Sequence, residues 1–259
     1  RHPLLALWRK VEKELFLKSK NDSPDLSDAR AGRHYNPKIK TMIPKIIHYI
    51  WFGDKPFPKK VEECIRSWEK YLPDYEFKLW NEKTFDIDAS IPFVKEAYEH
   101  RKYAFVSDYV RLWALYNYGG IYLDTDIEVL KPFDNEFLSA RCVLGTDDGG
   151  YLTALMMAEK GHPFIKECMD AFNRRSFVMK DGKLDMEVNN TSMQDILASY
   201  GYKVENTLRK LNEGIVVYPD DFFHVRSLVS GKLNITRNSY AIHWHTITWV
   251  SPKTRFINF

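Results

Sequence analysis

Apolar positions in this chain fall into short continuous runs that alternate with stretches of helical spacing. The run KIIHYIWF (45–52) is bounded by Pro44 and Gly53, the pattern of a strand buried on both faces. KKVEECIRSWEKY follows, with Val61, Cys64, Ile65 and Trp68 on one helical face and Pro73 past its end. YEFKLW (75–80) predicts a second strand. AFVSDYVRLWALYNYGG predicts a helix stopped by Gly119-Gly120, after which IYLD returns to strand. CVLGT is another strand and MQDILASYG a helix ending at Gly201, while GIVVYP and SYAIHWHTITW close the chain as strands. This order predicts an α/β sandwich with a mostly parallel central sheet and flanking helices. Open sheets of that kind bind ligands outside the carboxyl ends of their strands.

The first forty-one residues read differently from the rest. LLALWRKVEKELFLKSK puts Leu4, Leu7, Trp8, Val11 and Leu15 on one helical face with basic residues opposite, and NDSPDLSDARAGRHYNPK has the composition of a linker. We therefore expect an amphipathic helix and linker over 1–41 and a catalytic domain over 42–259. The helix suits either packing on the domain or a membrane surface. A net charge of +3 is too small to point to nucleic acid. Cys64, Cys142 and Cys168 are isolated inside apolar runs and read as reduced, buried thiols rather than a disulfide framework. The chain has no membrane-spanning apolar run and no signal-peptide pattern at Arg1. The expected setting is the cytoplasm, or the periphery of the membrane's inner face.

The stretch YGGIYLDTDIEVL (118–130) carries the candidate chemistry. Asp124 and Asp126 follow an apolar strand, and their spacing points both side chains one way if the chain stays extended. Two hard oxygen ligands there suit a divalent cation that keeps other positions for water and phosphate, and a diphosphate is its natural partner. A bare D-x-D is equally the mark of two turn aspartates in solvent. Asp108 and Arg111 stand three apart on the preceding helix, so they share a face. Such a pair can bind neighbouring sugar hydroxyls or be an ordinary surface ion pair.

Together the S-D-Y-V-R segment, the Gly-Gly stop and the D-x-D resemble the DXD-containing retaining sugar transferases. That family includes bacterial capsule and lipopolysaccharide enzymes and the yeast initiating mannosyltransferase, and clostridial glucosylating toxins are similar at these motifs. The resemblance runs from about Ile43 to Trp249. It implies a GT-A type nucleotide-sugar-binding fold, Mn2+ or Mg2+, and a nucleotide-sugar donor, with UDP-hexose favoured. It also implies a glycan, glycolipid or polysaccharide acceptor. Carried over, Ile50 and Trp51 contact the base, Asp108 and Arg111 hold the donor sugar, and Tyr122, Asp124 and Asp126 surround nucleotide and metal. GHPFIKECMDAF resembles a structural helix of the family. AIHWHTITW resembles the C-terminal segment that supplies a metal ligand, here His243 by the Ala-Ile-His match, with His245 on the same strand face as the alternative, and an aromatic cover, here Trp249. The chain departs from the family's His-His-Trp or Ser-Trp ending at this point. Asp147-Asp148 and Asn190 are further candidate contacts.

Two other classes fit these residues less well. A haloacid-dehalogenase phosphohydrolase wants Asp-x-Asp-x-Thr, and this chain has Asp-Thr-Asp-Ile-Glu. A catalytically silent sugar-nucleotide-binding module would not need Trp51, Asp108, Arg111, Asp124 and Asp126 together. A toxin-like protein glycosylation effector differs from a glycan enzyme only in its acceptor.

Overall fold

The computed structural model describes residues 42–246, apart from 149 and 188. The amphipathic helix and linker expected over 1–41, and Trp249, lie outside the described residues, as does the side chain of Asn190. The order begins β1 (Ile46–Ile50), α1 (Lys59–Tyr71), β2 (Glu76–Trp80), α2 (Pro92–Glu99), α3 (Tyr103–Tyr118), β3 (Gly120–Leu123), β4 (Ile127–Val129) and α4 (Asn135–Ser139). It continues with β5 (Cys142–Thr146), β6 (Tyr151–Ala158), α5 (Pro163–Phe172), α6 (Asn189–Ser199), β7 (Arg209–Lys210), β8 (Ile215–Tyr218), α7 (Asp220–Phe223) and β9 (Ala241–His243).

Seven strands form one sheet in the order β2-β1-β3-β6-β5-β8-β7, and β4 pairs with β9 separately. β1, β2 and β3 run parallel, as do β5 and β8, while β6 runs against both β3 and β5, and β7 against β8. Five strands thus share one direction, and the α/β class with a mostly parallel sheet is as expected. Alternate residues sort to two cores. Tyr122, Leu144 and Met156 face a cluster with Val106, Val110, Phe164 and Leu197 from α3, α5 and α6. Ile121, Leu123, Val143 and Met157 face Cys64, Trp68, Phe137 and Phe223 from α1, α4 and α7. All three cysteines are buried and free. Among the described residues, no helix is long and apolar enough to cross a membrane.

The Gly119-Gly120 stop has a steric cause. Both residues take positive φ, and a Cβ on Gly120 would stand 2.6 Å from the Ile46 carbonyl oxygen of the neighbouring strand. Only glycine lets the helix end and β3 enter the sheet beside β1. His48, fully buried in β1, locks this corner. Trp80 Nε1 donates to its Nδ1 at 3.1 Å, so its Nε2–H donates to the Gly119 carbonyl at 2.8 Å. Burial lowers its pKa to about 4, which keeps the ring neutral in that tautomer.

Three expectations are corrected. The expected first strand, 45–52, stops at Ile50, which leaves Trp51 just beyond it. The chain does not stay extended through the D-x-D: the Ile127 N–H donates to the Asp124 carbonyl at 2.9 Å, closing a turn between β3 and β4. The C-terminal segment is a strand only over Ala241–His243, and His245 has φ +51. His243 and His245 therefore do not share a strand face by alternation; the chain turns back at His245.

Candidate active site

The carboxyl ends of β1 and β3 lie side by side, because Ile47 pairs with Ile121 and His48 with Tyr122. That register brings Trp51 and the D-x-D turn to the same sheet edge. Ile50 is buried at 5% exposure. Trp51 is half-buried; its backbone N–H donates to the Trp80 carbonyl, and its indole N–H donates to the Lys55 carbonyl at 2.7 Å. The indole orientation is thereby fixed, with Phe57 edge-on at 5.2 Å.

Arg111 is not a surface cation. Only 6% of it is exposed, and every nitrogen of its fork has an assigned neighbour. Nη2 lies 2.8 Å from Asp108 Oδ1 and 3.6 Å from Asp124 Oδ1. Nη1 donates to the Thr153 carbonyl of β6 at 2.9 Å, and Nε to the Ser107 carbonyl at 3.4 Å. The guanidinium also sits 4.7 Å above the Tyr122 ring, and the Tyr122 hydroxyl donates to Asp124 Oδ1. This planar fork therefore sets the positions of two carboxylates at once. Burial pushes the Asp108 carboxyl up to about 6, against the pull of Arg111. Burial opposes the charge on Arg111 as well, yet Tyr122, Asp124 and Asp108 hold its pKa above the usual value.

Asp126 is supported from the other side. Its Oδ2 accepts from the Thr246 N–H at 2.7 Å and the Thr246 hydroxyl at 3.0 Å, and its Oδ1 lies 3.4 Å from His243 Nε2. Burial alone would raise its pKa, but His243 and Thr246 outweigh burial and hold the carboxyl well below the usual range. Asp124, Asp126 and His243 each bring one potential ligand atom within 4.8 Å of the others. Two carboxylates and an imidazole are a donor set that fits a divalent ion of manganese or magnesium type.

Of the expected site residues, Ile50, Trp51, Asp108, Arg111, Tyr122, Asp124, Asp126 and His243 gather around this sheet edge. Asp147 Oδ1 accepts from the Gly150 N–H at 2.9 Å, a turn bond, whereas Asp148 reaches away to accept from Leu228 N–H at 2.6 Å. Sequence reasoning missed Thr246, which braces Asp126. It also missed Tyr151, whose buried hydroxyl has no partner, and His224, whose ring lies 4.9 Å from that of His245. No local signal marked these three.

The chain spans about half the length of the curated mannosyltransferase relatives it matches. It is 30% identical over 165 residues to inositol phosphoceramide mannosyltransferase 3 of Schizosaccharomyces pombe, covering 62% of this chain and 46% of that protein. The initiation-specific alpha-1,6-mannosyltransferase of Candida albicans is 26% identical, covering 60% of this chain and 43% of that protein. The Legionella pneumophila protein named subversion of eukaryotic traffic protein A is 27% identical over 79% of this chain and 35% of its own length. Among solved structures, a PaToxG glycosyltransferase overlaps 61% of this chain and 68% of that one, at TM-score 0.47 and 21% identity. The profile of one family, described as a glycosyltransferase sugar-binding region containing a DXD motif, matches residues 58–144, which hold α1, β2, α3, the D-x-D turn and most of the site above. Over that stretch the chain is similar to the DXD-containing glycosyltransferases.

Proposed function

We propose that this protein is a metal-dependent hexosyltransferase that takes a hexose from a nucleoside-diphosphate sugar. The observation that carries the reading is the convergence of Asp124, Asp126 and His243 within 4.8 Å beside the buried Asp108–Arg111 pair. Asp124 and Asp126 would hold Mn2+ or Mg2+, which when bound would neutralise the diphosphate leaving group. Trp51, fixed at the end of β1, would stack on the base while Ile50 forms the floor beneath it. Asp108 has one oxygen committed to Arg111 and would receive sugar hydroxyls on the other. Arg111 would act chiefly by holding Asp108 and Asp124 in place, which lowers the entropic part of the barrier. In the transfer the bond from the anomeric carbon to the diphosphate oxygen breaks and a bond to an acceptor hydroxyl oxygen forms. The departing phosphate would take the hydroxyl proton on the same face, consistent with retention.

The sugar in the names of the mannosyltransferase relatives is mannose, so the donor panel should include a mannose nucleotide beside the UDP-hexoses favoured from sequence. An inositol-phosphoceramide name supports a glycolipid acceptor, and a protein acceptor is the alternative. The test is release of nucleoside diphosphate by the full chain from each donor. One donor should be turned over, chelator should abolish turnover and manganese should restore it, and Asp126→Asn should not be restored. Turnover undiminished by exhaustive chelation, or retained in Asp126→Asn, overturns the proposal.

A further inference from the structure

The site carries more imidazoles than the D-x-D turn can use. His224 follows α7 and is 4% exposed, while His243 ends β9 and His245 follows it. One ring nitrogen of each lies within 4.8 Å of the others, and the His243 and His245 ring centroids are 3.7 Å apart. Both ring nitrogens of His224, Nδ1 of His243 and Nε2 of His245 are buried without a hydrogen-bond partner. Buried polar atoms are nearly always satisfied, so several orphaned nitrogens in one place call for something that binds them.

Two carboxylates sort these nitrogens. Asp148 Oδ2 lies 3.6 Å from His224 Nε2, and Asp126 Oδ1 lies 3.4 Å from His243 Nε2. Neither distance is a hydrogen bond, but each carboxylate favours a proton on the nitrogen it faces and leaves the other lone pair available, as in metal-binding histidines. Asp148 is itself held by the Leu228 N–H. His245 reaches the cluster only through its φ of +51, an uncommon conformation for a residue with a side chain. The nearby cation, Arg226, donates to the Trp244 carbonyl at 3.0 Å. A polar pocket lined by Asp148, His224, Asp220, Asp221 and Lys232 offers a route from solvent.

We propose that His224, His243 and His245 form a second cation site, selective for zinc or a similar transition metal, separate from the D-x-D carboxylates. The donors are Nδ1 of His224, Nδ1 of His243 and Nε2 of His245, with a fourth position left open. Tetrahedral zinc–nitrogen bonds of about 2.0–2.1 Å set nitrogens about 3.4 Å apart, so the three rings, whose ligand atoms stand within 4.8 Å of one another, would close in by up to about 1.4 Å on binding. Three neutral imidazoles disfavour magnesium, which prefers oxygen. His243 then stands between the two sites, with Nδ1 toward this ion and Nε2 at 3.4 Å from Asp126 Oδ1.

Cobalt(II) tests this on the full, chelator-stripped chain, because its visible absorption is intense in four-coordinate imidazole sites and weak in six-coordinate oxygen sites. One equivalent should raise an intense band that zinc bleaches and excess magnesium leaves unchanged. His224→Gln and His245→Gln should each lose the band, and Asp148→Asn should weaken cobalt binding about 10–100-fold. Asp124→Asn should keep it. Absence of an intense band in the unaltered protein overturns the proposal whatever the variants' folding. So does a band that survives both histidine changes, or one lost with Asp124→Asn, which would place the ion at the D-x-D turn. None of these readouts depends on sugar transfer, so although His243 is common to both sites, failure here and failure of the transferase reading are distinguishable.

Discussion

Asp108 ionises against its surroundings, so Asp108→Asn should gain stability relative to the unaltered protein as pH rises, while losing donor turnover. The Asp108 side chain is 17% exposed. Burial moves its pKa from the usual 3.8 to about 6; Arg111 pulls it down, Asp124 pushes it up and Arg175 pulls it down. A raised acid pKa means that the folded state holds this proton more tightly than the unfolded chain does. The contribution to stability is then complete below about pH 4 and is lost as pH climbs through about 6. A difference of about two pKa units, at about 1.36 kcal/mol each, is on the order of 3 kcal/mol, with the attraction of Arg111 already included.

Asparagine keeps the shape of the protonated acid and cannot ionise, so any packing cost it brings is the same at every pH. The measurement is the unfolding free energy of variant and parent by denaturant melts at pH 4 and pH 8. The variant's relative stability should rise by on the order of 3 kcal/mol between those values, most of it between about pH 4 and pH 6. Asp126, held below the usual range, is common to both proteins and cancels to first order. A difference that stays flat across pH refutes the argument, because Asp108 would then ionise as it does in water. A difference that moves toward the parent as pH rises means that Arg111 outweighs burial.

Arg111→Lys should lose donor turnover and also melt lower by several degrees, because one ammonium cannot serve Asp108, Asp124 and the Thr153 carbonyl together. Breaking a buried pair of this kind costs roughly 3–5 kcal/mol, and thermal melts that match the parent's would show the fork to be dispensable. Trp51→Ala should weaken nucleotide binding by roughly 1–3 kcal/mol, the scale of base–aromatic stacking. Calorimetric titration with nucleotide, alongside a melting curve on the same preparation, checks this; a lowered melting temperature with unchanged affinity would make Trp51 a structural residue.

Much of the fold was legible because the strands are buried on both faces. Runs such as IIHYI and GIYL have no solvent side to supply polar alternation, and Gly and Pro mark their ends. β6 went unread for the opposite reason. Its YLTALMMA is rich in leucine, alanine and methionine, which favour helix locally, and only pairing with β3 and β5 at once makes it a strand. β4 spans three residues, too short for any period to show, whereas β9 occupies only three residues of the longer strand expected over SYAIHWHTITW. Trp51, Asp108, Arg111 and the two aspartates were legible as a family pattern, but the burial of Arg111 was not. Asp108 and Arg111 three apart on a helix give the same sequence whether the pair faces water or β6. The histidine cluster was half visible. His243 and His245 are near neighbours in the chain, whereas His224 joins them because Tyr240 N–H bonds the Phe222 carbonyl and draws α7 to β9.

A bare D-x-D says little because two aspartates in a turn usually face water, and the difference here is that each carboxylate is held from a separate quarter. Asp124 is fixed by Tyr122 on β3 and approached by Arg111 from α3. Asp126 is fixed by Thr246, beyond β9, and the Trp244 N–H donates to its backbone carbonyl at 3.1 Å. The β4–β9 pair that carries this second support is itself clamped by α1. Trp68 Nε1 donates to the Ile127 carbonyl at 2.7 Å and the Val129 N–H to the Ser67 hydroxyl at 2.9 Å, while across the pair itself Trp244 Nε1 donates to Glu128 at 2.7 Å. Neither support is local to the motif, so neither carboxylate can relax toward water without disturbing an element on its own side of the sheet. The two carboxylates are therefore held close together by the fold, where a cation between them would bind both. That is why the turn reads as a site here, although the same three letters in a solvent-exposed loop would not.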